Sequence, residues 1–440
     1  MTVSALALAG CWDPARELTV GQVGAVTGFA GAVAVDEPRA ALVARDALSA
    51  GGTAADAAVA AMWTMTATLP SAVGIGGGGL CVVHDARSKT TEVLDFLPPA
   101  GDQAGGGAVT AGGGGWVVAG RGGWPVAVPA LPRGLFALHA KYGRLRWEAV
   151  MAPAETIARF GEPVSRALAR DLSFAGSGLG ADPEAREVFA AGGTRLLNEG
   201  ERLQQVTLSS TLGRLRQHGP GTLYDGMLGN QFLEAVERSG GRMTREELRA
   251  YAPTWRATAR QAVGHETLHA PPAGVAGHDL LRVYNGGGAQ PAPGGAEGGA
   301  GVVVVDREGS AVACGLTMNG AFGLGRMAPG LGFLLAEAGP APGAARVPVA
   351  AALLINHNVN EFRLGVAAGG GDAAANAGRA AQLAIPGGQP AFRAVQGLPG
   401  QAETNLVSCP QGVPPRPDTC TVAVDPRAAG YGAVIGREGS

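Results

Sequence analysis

The sequence predicts an α/β (α+β) chain, and three observations carry that expectation. Two apolar runs at 302–305 and 311–317 flank the polar stretch Asp306-Arg307-Glu308-Gly309, and a glycine closing a short polar turn is what a β-hairpin requires, so the pair reads as a hairpin in a buried sheet. Helical periodicity recurs at 134–142, 147–160, 164–172, 210–218, 230–239 and 244–251. Glycine is abundant, 73 of 440 residues, yet it clusters between patterned segments instead of spreading as low complexity. A formal net charge of −2 gives no electrostatic case for nucleic acid or an anionic membrane.

In chain order, residues 1–17 form an N-terminal segment of their own. Leu8-Ala9-Gly10-Cys11 has the form of a bacterial lipoprotein cleavage site, which makes Cys11 a lipidation candidate; the other reading is a frayed apolar terminus. The stretch 18–35 is broken by glycines and is short for a membrane span. Residues 38–50 read as a helix stopped by Gly51-Gly52, and Thr53 with Asp56 has the spacing of a capping box that starts the next one. The glycine run 74–79 follows a helix and precedes a strand at 80–84, the reverse of a phosphate cradle, so close backbone packing is the better reading. Residues 103–123 read as a Gly-rich surface insertion with a short strand at 116–119, and 261–269 alternates as one strand.

No metal set is expected from the seven histidines. His265 and His269 are four apart on a strand, but no third ligand joins them and Glu266 points the other way; His278 and His357 are isolated. Cys81 and Cys314 fall in apolar strands and read as buried free thiols. Cys409 and Cys420 bracket a proline-dense loop where a disulfide would be worth roughly 2 to 3 kcal/mol. That pairing favours an oxidising compartment, and with Cys11 it favours the bacterial envelope, periplasmic or lipid-anchored.

Several motifs in one order resemble the γ-glutamyltransferase family. Residues 51–96 resemble the family's GGNAVDAAVA, SGIGGGGF and LDFRE patterns, and the likeness continues through 127–172, 212–255, 270–274, the opening hairpin and 348–371. The resemblance implies an N-terminal-nucleophile hydrolase fold, an αββα sandwich of two stacked β-sheets between helical layers. It divides the chain into a region like the large subunit at 18–274, a Gly/Pro-rich linker at 275–298 replacing the family's pre-nucleophile helices, and a region like the small subunit at 299–440. In active members a threonine opens the first strand of the hairpin, cuts the chain before itself and uses its freed amine as base.

Here Gly299 stands at that position, and residues 268–309 contain neither threonine nor serine. Other departures agree. The arginine that holds the substrate α-carboxylate corresponds to Leu97, the paired serines to Ala350 and Ala351, and the family's acidic loop to 336–342, where only Glu337 is charged. What remains of the pocket is Asn319 and the glycines of the oxyanion loop, Gly370 and Gly371.

The resemblance therefore implies a pseudoenzyme, unprocessed, serving as a binding or scaffolding subunit. Its partner is an unidentified protein, with a membrane complex the expected setting and the membrane reached only through Cys11; neither nucleic acid nor a cofactor is expected. The alternative is an amide or γ-glutamyl hydrolase or transferase with another nucleophile, for which Thr317 and Ser310 are the nearest hydroxyls. A remnant pocket binding an amino-acid-like ligand is disfavoured by Leu97, since a carboxylate buried unpaired costs several kcal/mol.

Overall fold

A computed structural model describes residues 28–99, 109–112, 115–118, 126–288, 298–338, 348–400 and 402–436. Cys11 and the segment 1–17 lie outside the described residues, as do 289–297 of the linker and 339–342 of the expected acidic loop. The strands that build the two main sheets are β1 (Gly31–Val35), β2 (Gly78–Asp85), β3 (Thr90–Phe96), β4 (Thr254–Ala257), β5 (Ala259–Val263), β6 (Glu266–Ala270), β7 (Gly299–Asp306), β8 (Ala311–Thr317), β9 (Val349–Asn356), β10 (Glu361–Gly369), β11 (Glu403–Val413), β12 (Thr421–Val424) and β13 (Tyr431–Ile435). The first sheet has the order β4-β3-β2-β8-β7-β1-β13 and the second β5-β6-β9-β10-β11-β12. Every adjacent pair is antiparallel.

Alternation along the strands sets the layers. In β7, Ala300, Val302 and Val304 pack with the helices that cover the first sheet, whereas Val303 and Val305 join the core between the sheets. Because both faces are covered, the strand reads as a continuous apolar run rather than an alternating one. Helices α1 (Pro38–Ser49), α2 (Ala54–Thr68), α3 (Leu131–Tyr142), α4 (Trp147–Phe160), α5 (Arg166–Phe174), α6 (Val206–His218) and α7 (Met227–Arg238) form the layer over the first sheet. The layer over the second sheet is α8 (Leu280–Tyr284), α9 (Ala373–Ala384) and α10 (Ala391–Val395). The αββα sandwich is thus the observed architecture.

Local chemistry explains the best-placed boundaries. The β7–β8 turn closes on Gly309 at φ +87°, a region open to glycine without steric penalty. Thr53 and Asp56 form the expected capping box, and Asp306 extends it: its Oδ2 accepts from the Ala54 N–H at 2.9 Å, while its Oδ1 accepts from the N–H groups of Glu308 and Ser310. One carboxylate therefore caps α2 and pins the central hairpin turn, and burial pushes its pKa up to about 6. Thr244 caps Arg245–Ala250 through a second capping box.

Several expectations need correction. The stretch 261–269 is not one strand: Gly264 at φ +59° turns the chain back, so His265 sits in a turn between β5 and β6. Within 103–123 the described backbone forms a two-stranded hairpin, Val109–Gly112 paired with Gly115–Val118, rather than one strand at 116–119. The segment 275–298 is not linker throughout, since it carries the short helix α8 between turns. Among the described residues no helix is long and apolar enough to cross a membrane.

Cys81 and Cys314 are joined in a disulfide, not free. They stand directly opposite each other in the β2–β8 ladder with a Cα–Cα distance of 4.0 Å, close enough for a cross-strand bridge. Cys409 and Cys420 are also bridged, as expected.

Candidate functional site

Gly299 opens β7 opposite Thr317, where the first sheet meets the end of β10 in the second. The two backbones touch there. A Cβ at Gly299 would lie 2.6 Å from the Gly370 nitrogen and 2.9 Å from the Gly369 carbonyl carbon, inside any real contact distance. Gly298, at φ +96°, is equally closed, since a Cβ on it would meet the Ala321 nitrogen at 2.6 Å. Neither Gly298 nor Gly299 leaves room for a Cβ.

The groups around it are already engaged. Thr317, fully buried, accepts the Asn319 N–H at 2.8 Å and donates to the Gly298 carbonyl at 3.5 Å. Asn319 adopts φ +59°, and its side-chain amide donates to the Glu337 carbonyl at 3.0 Å, so it fixes the turn onto the following segment. Gly370 donates its N–H to the Pro348 carbonyl at 3.0 Å and, at φ +108°, leads with Gly371 into α9. Ser310 accepts from the Ala86 N–H at 3.1 Å, at the other end of β8.

The remaining predicted residues divide between layers. Leu97 is buried in the core between the sheets with Val275 and Val349. Ala351 shares that core, but Ala350 faces the opposite way, toward α9 and its neighbours. A paired role for the two alanines is therefore not built into this strand.

Sequence reasoning missed a polar network just beneath Gly299. Asp36 follows β1 and is fully buried; its Oδ2 accepts the Gly301 N–H at 2.6 Å and its Oδ1 accepts the Asn405 amide at 2.8 Å. Asn405 also donates to the Gly301 carbonyl at 2.8 Å. Two residues earlier on β11, Glu403 stands opposite Gly369 and is ion-paired to Arg170 of α5. Arg170 grips Asp171 as well, which accepts from Ser71 Oγ at 2.6 Å.

Burial raises both Asp36 and Glu403 above the usual carboxylate range, and the negative charge of Asp36 pushes Glu403 further. Such a pair can hold a proton, but it is not a nucleophile with a freed amine. Asp36 and Asn405 are 369 residues apart in the chain, so only the strand order brings this network together.

The histidines are also rearranged. His357 is not isolated: its Nε2 lies 2.7 Å from His269 Nε2, with the His84 ring 5.9 Å from its own. Among the described residues no group of three or more His, Cys, Asp or Glu side chains is arranged to hold a metal ion.

Comparison with known proteins agrees with this architecture. The gamma-glutamyltranspeptidase family model matches residues 40–286. Glutathione hydrolase 3 of Arabidopsis thaliana is 30% identical over 221 residues, covering 50% of this chain and 34% of the relative. The glutathione hydrolase proenzyme of Escherichia coli (strain K12) is 29% identical over 259 residues, covering 58% and 44%. The chain thus spans less than half the length of these curated relatives.

Among solved structures, cephalosporin acylase from Bacillus halodurans superposes with a TM-score of 0.75 at 18% identity, covering 98% of this chain and 100% of that one. The gamma-glutamyltranspeptidase of Helicobacter pylori does so with a TM-score of 0.51 at 25% identity, covering 59% and 76%. With the family pattern matched over more than half its residues and the two-sheet sandwich formed, the chain belongs to the gamma-glutamyltranspeptidase family.

Proposed function

We propose that this γ-glutamyltransferase-like protein neither cleaves itself nor catalyses amide chemistry, and that it serves as a binding or scaffolding subunit. The observation that carries the reading is the backbone contact of Gly299 with Gly369 and Gly370, which fills the space a nucleophilic side chain would need. The motif resemblance supports the same reading: it puts Gly299 at the nucleophile's position and Leu97, Ala350 and Ala351 at those of the substrate-holding arginine and serines. The Gly370 N–H, half of the expected oxyanion hole, is engaged by Pro348. A hydrolase or transferase using Thr317 or Ser310 has less support, because both hydroxyls are already engaged by backbone groups.

The proposal extends to an oxidising compartment, the bacterial envelope, with Cys11 as lipid anchor and an unidentified protein as partner. Two disulfides support that setting. Release of p-nitroaniline from γ-glutamyl-p-nitroanilide by the purified protein should equal the buffer blank. Turnover abolished by Thr317→Ala would overturn the reading in favour of the hydrolase.

A further inference from the structure

The end of the sandwich far from Gly299 carries a second polar cluster. His84 is six residues along β2 from Gly78, the partner of Thr317, which places it roughly 20 Å from the closed strand start. His84 and His269 alternate with residues packed on the helical layers, so one enters the space between the sheets from each side. Both are 1% exposed, and His357, in the β9–β10 turn, caps them from the rim. Thr91 Oγ1 holds His84 Nδ1 at 2.9 Å, and Thr258 Oγ1 holds His269 Nδ1 at 2.8 Å.

A cleft of about 530 Å³ opens beside this cluster, lined by Lys89, Arg256, Arg260, His269 and His357. Its charge is unbalanced. Glu92, the acid on its wall, is already bound by Lys141 and Tyr142, and Arg256 is paired with Asp95 at 3.2 Å. Lys89 and Arg260 have no carboxylate partner among the described residues. Burial, joined by the charges of His357 and Arg260, holds His269 down to about 3, and burial with the Arg260 charge holds His357 below the usual histidine range. The His269 ring is therefore neutral near pH 7, and His357 Nδ1 makes no protein hydrogen bond among the described residues.

We propose that this cleft binds a small oxyanion, a phosphate or a carboxylate, held by Arg260 and Lys89 with His357 as a hydrogen-bonding wall. An oxyanion satisfies what the protein leaves open. It accepts charge-assisted hydrogen bonds from a guanidinium and an ammonium, and it balances the charge that disfavours protonation of the imidazole pair. The site shares no residue with the Gly299 region, so its test is independent of the loss of catalysis.

The test is isothermal titration of the full chain with inorganic phosphate and, separately, with succinate. One saturable site is expected for at least one of them: phosphate alone assigns a phosphoryl ligand, succinate alone a carboxylate one. Arg260→Ala should weaken that binding at least about tenfold, and Lys89→Asn, which tolerates the left-handed backbone of Lys89, should weaken it too. Arg166→Ala, an exposed cation elsewhere, should leave it unchanged. Absence of saturable heat from either anion, or equal binding by the Arg260 variant, overturns the proposal. Saturable Zn²⁺ binding without anion binding would also overturn it and assign the imidazoles to a metal.

Discussion

Gly299 is the residue on which the reading turns, and its environment makes a specific demand. Where backbone meets backbone, adding a side chain must push the sheets apart, and overpacking of this kind costs about 1 to 3 kcal/mol. Gly299→Thr should therefore lose stability by that amount in urea unfolding while still failing to release p-nitroaniline. A gain of turnover would mean that the site can reopen. Glu403 makes a different demand. Its pKa and that of Asp36 are raised on folding, so the folded chain keeps protons that the unfolded chain releases. Their contribution to stability is full below the ordinary carboxylate range and is lost as pH rises through the raised values. The melting temperature should fall as pH rises from about 6.5 to about 9, and Glu403→Gln, neutral throughout, should flatten that slope; an unchanged slope would show that the pair does not govern it.

At the scale of elements, the sequence revealed what local chemistry encodes. The β7–β8 hairpin, the Thr53–Asp56 capping box and the start of α4 at Trp147 each depend on residues within a few positions of one another. The Cys81–Cys314 bridge was not legible because the two cysteines are separated by 233 residues and meet only when β2 pairs with β8. The same holds for Asp36 with Asn405 and for His269 with His357: isolated polar residues in apolar surroundings gave no sign of their partners. A crosslink closing so long a loop restricts the unfolded chain strongly. Replacing both cysteines with alanine should cost about 2 to 5 kcal/mol in urea unfolding. A variant as stable as the parent would show that the paired strands alone hold that part of the sheet.

Across the whole molecule, the two sheets enclose an apolar middle with a polar cluster at each end. Near Gly299 the cluster is built on buried carboxylates and closed over by backbone; near His357 it is cationic and open to a cleft. The family likeness foretold the layers because it rests on motifs distributed along the chain, but it could not foretell how tightly the sheets close at Gly299. That closure is the physical basis for reading the protein as an uncut chain. Intact-mass spectrometry of the purified product of this sequence tests it most directly: a single polypeptide near 43.9 kDa, less any N-terminal processing, is predicted. Two fragments whose junction lies at or beside Gly299 would contradict the account.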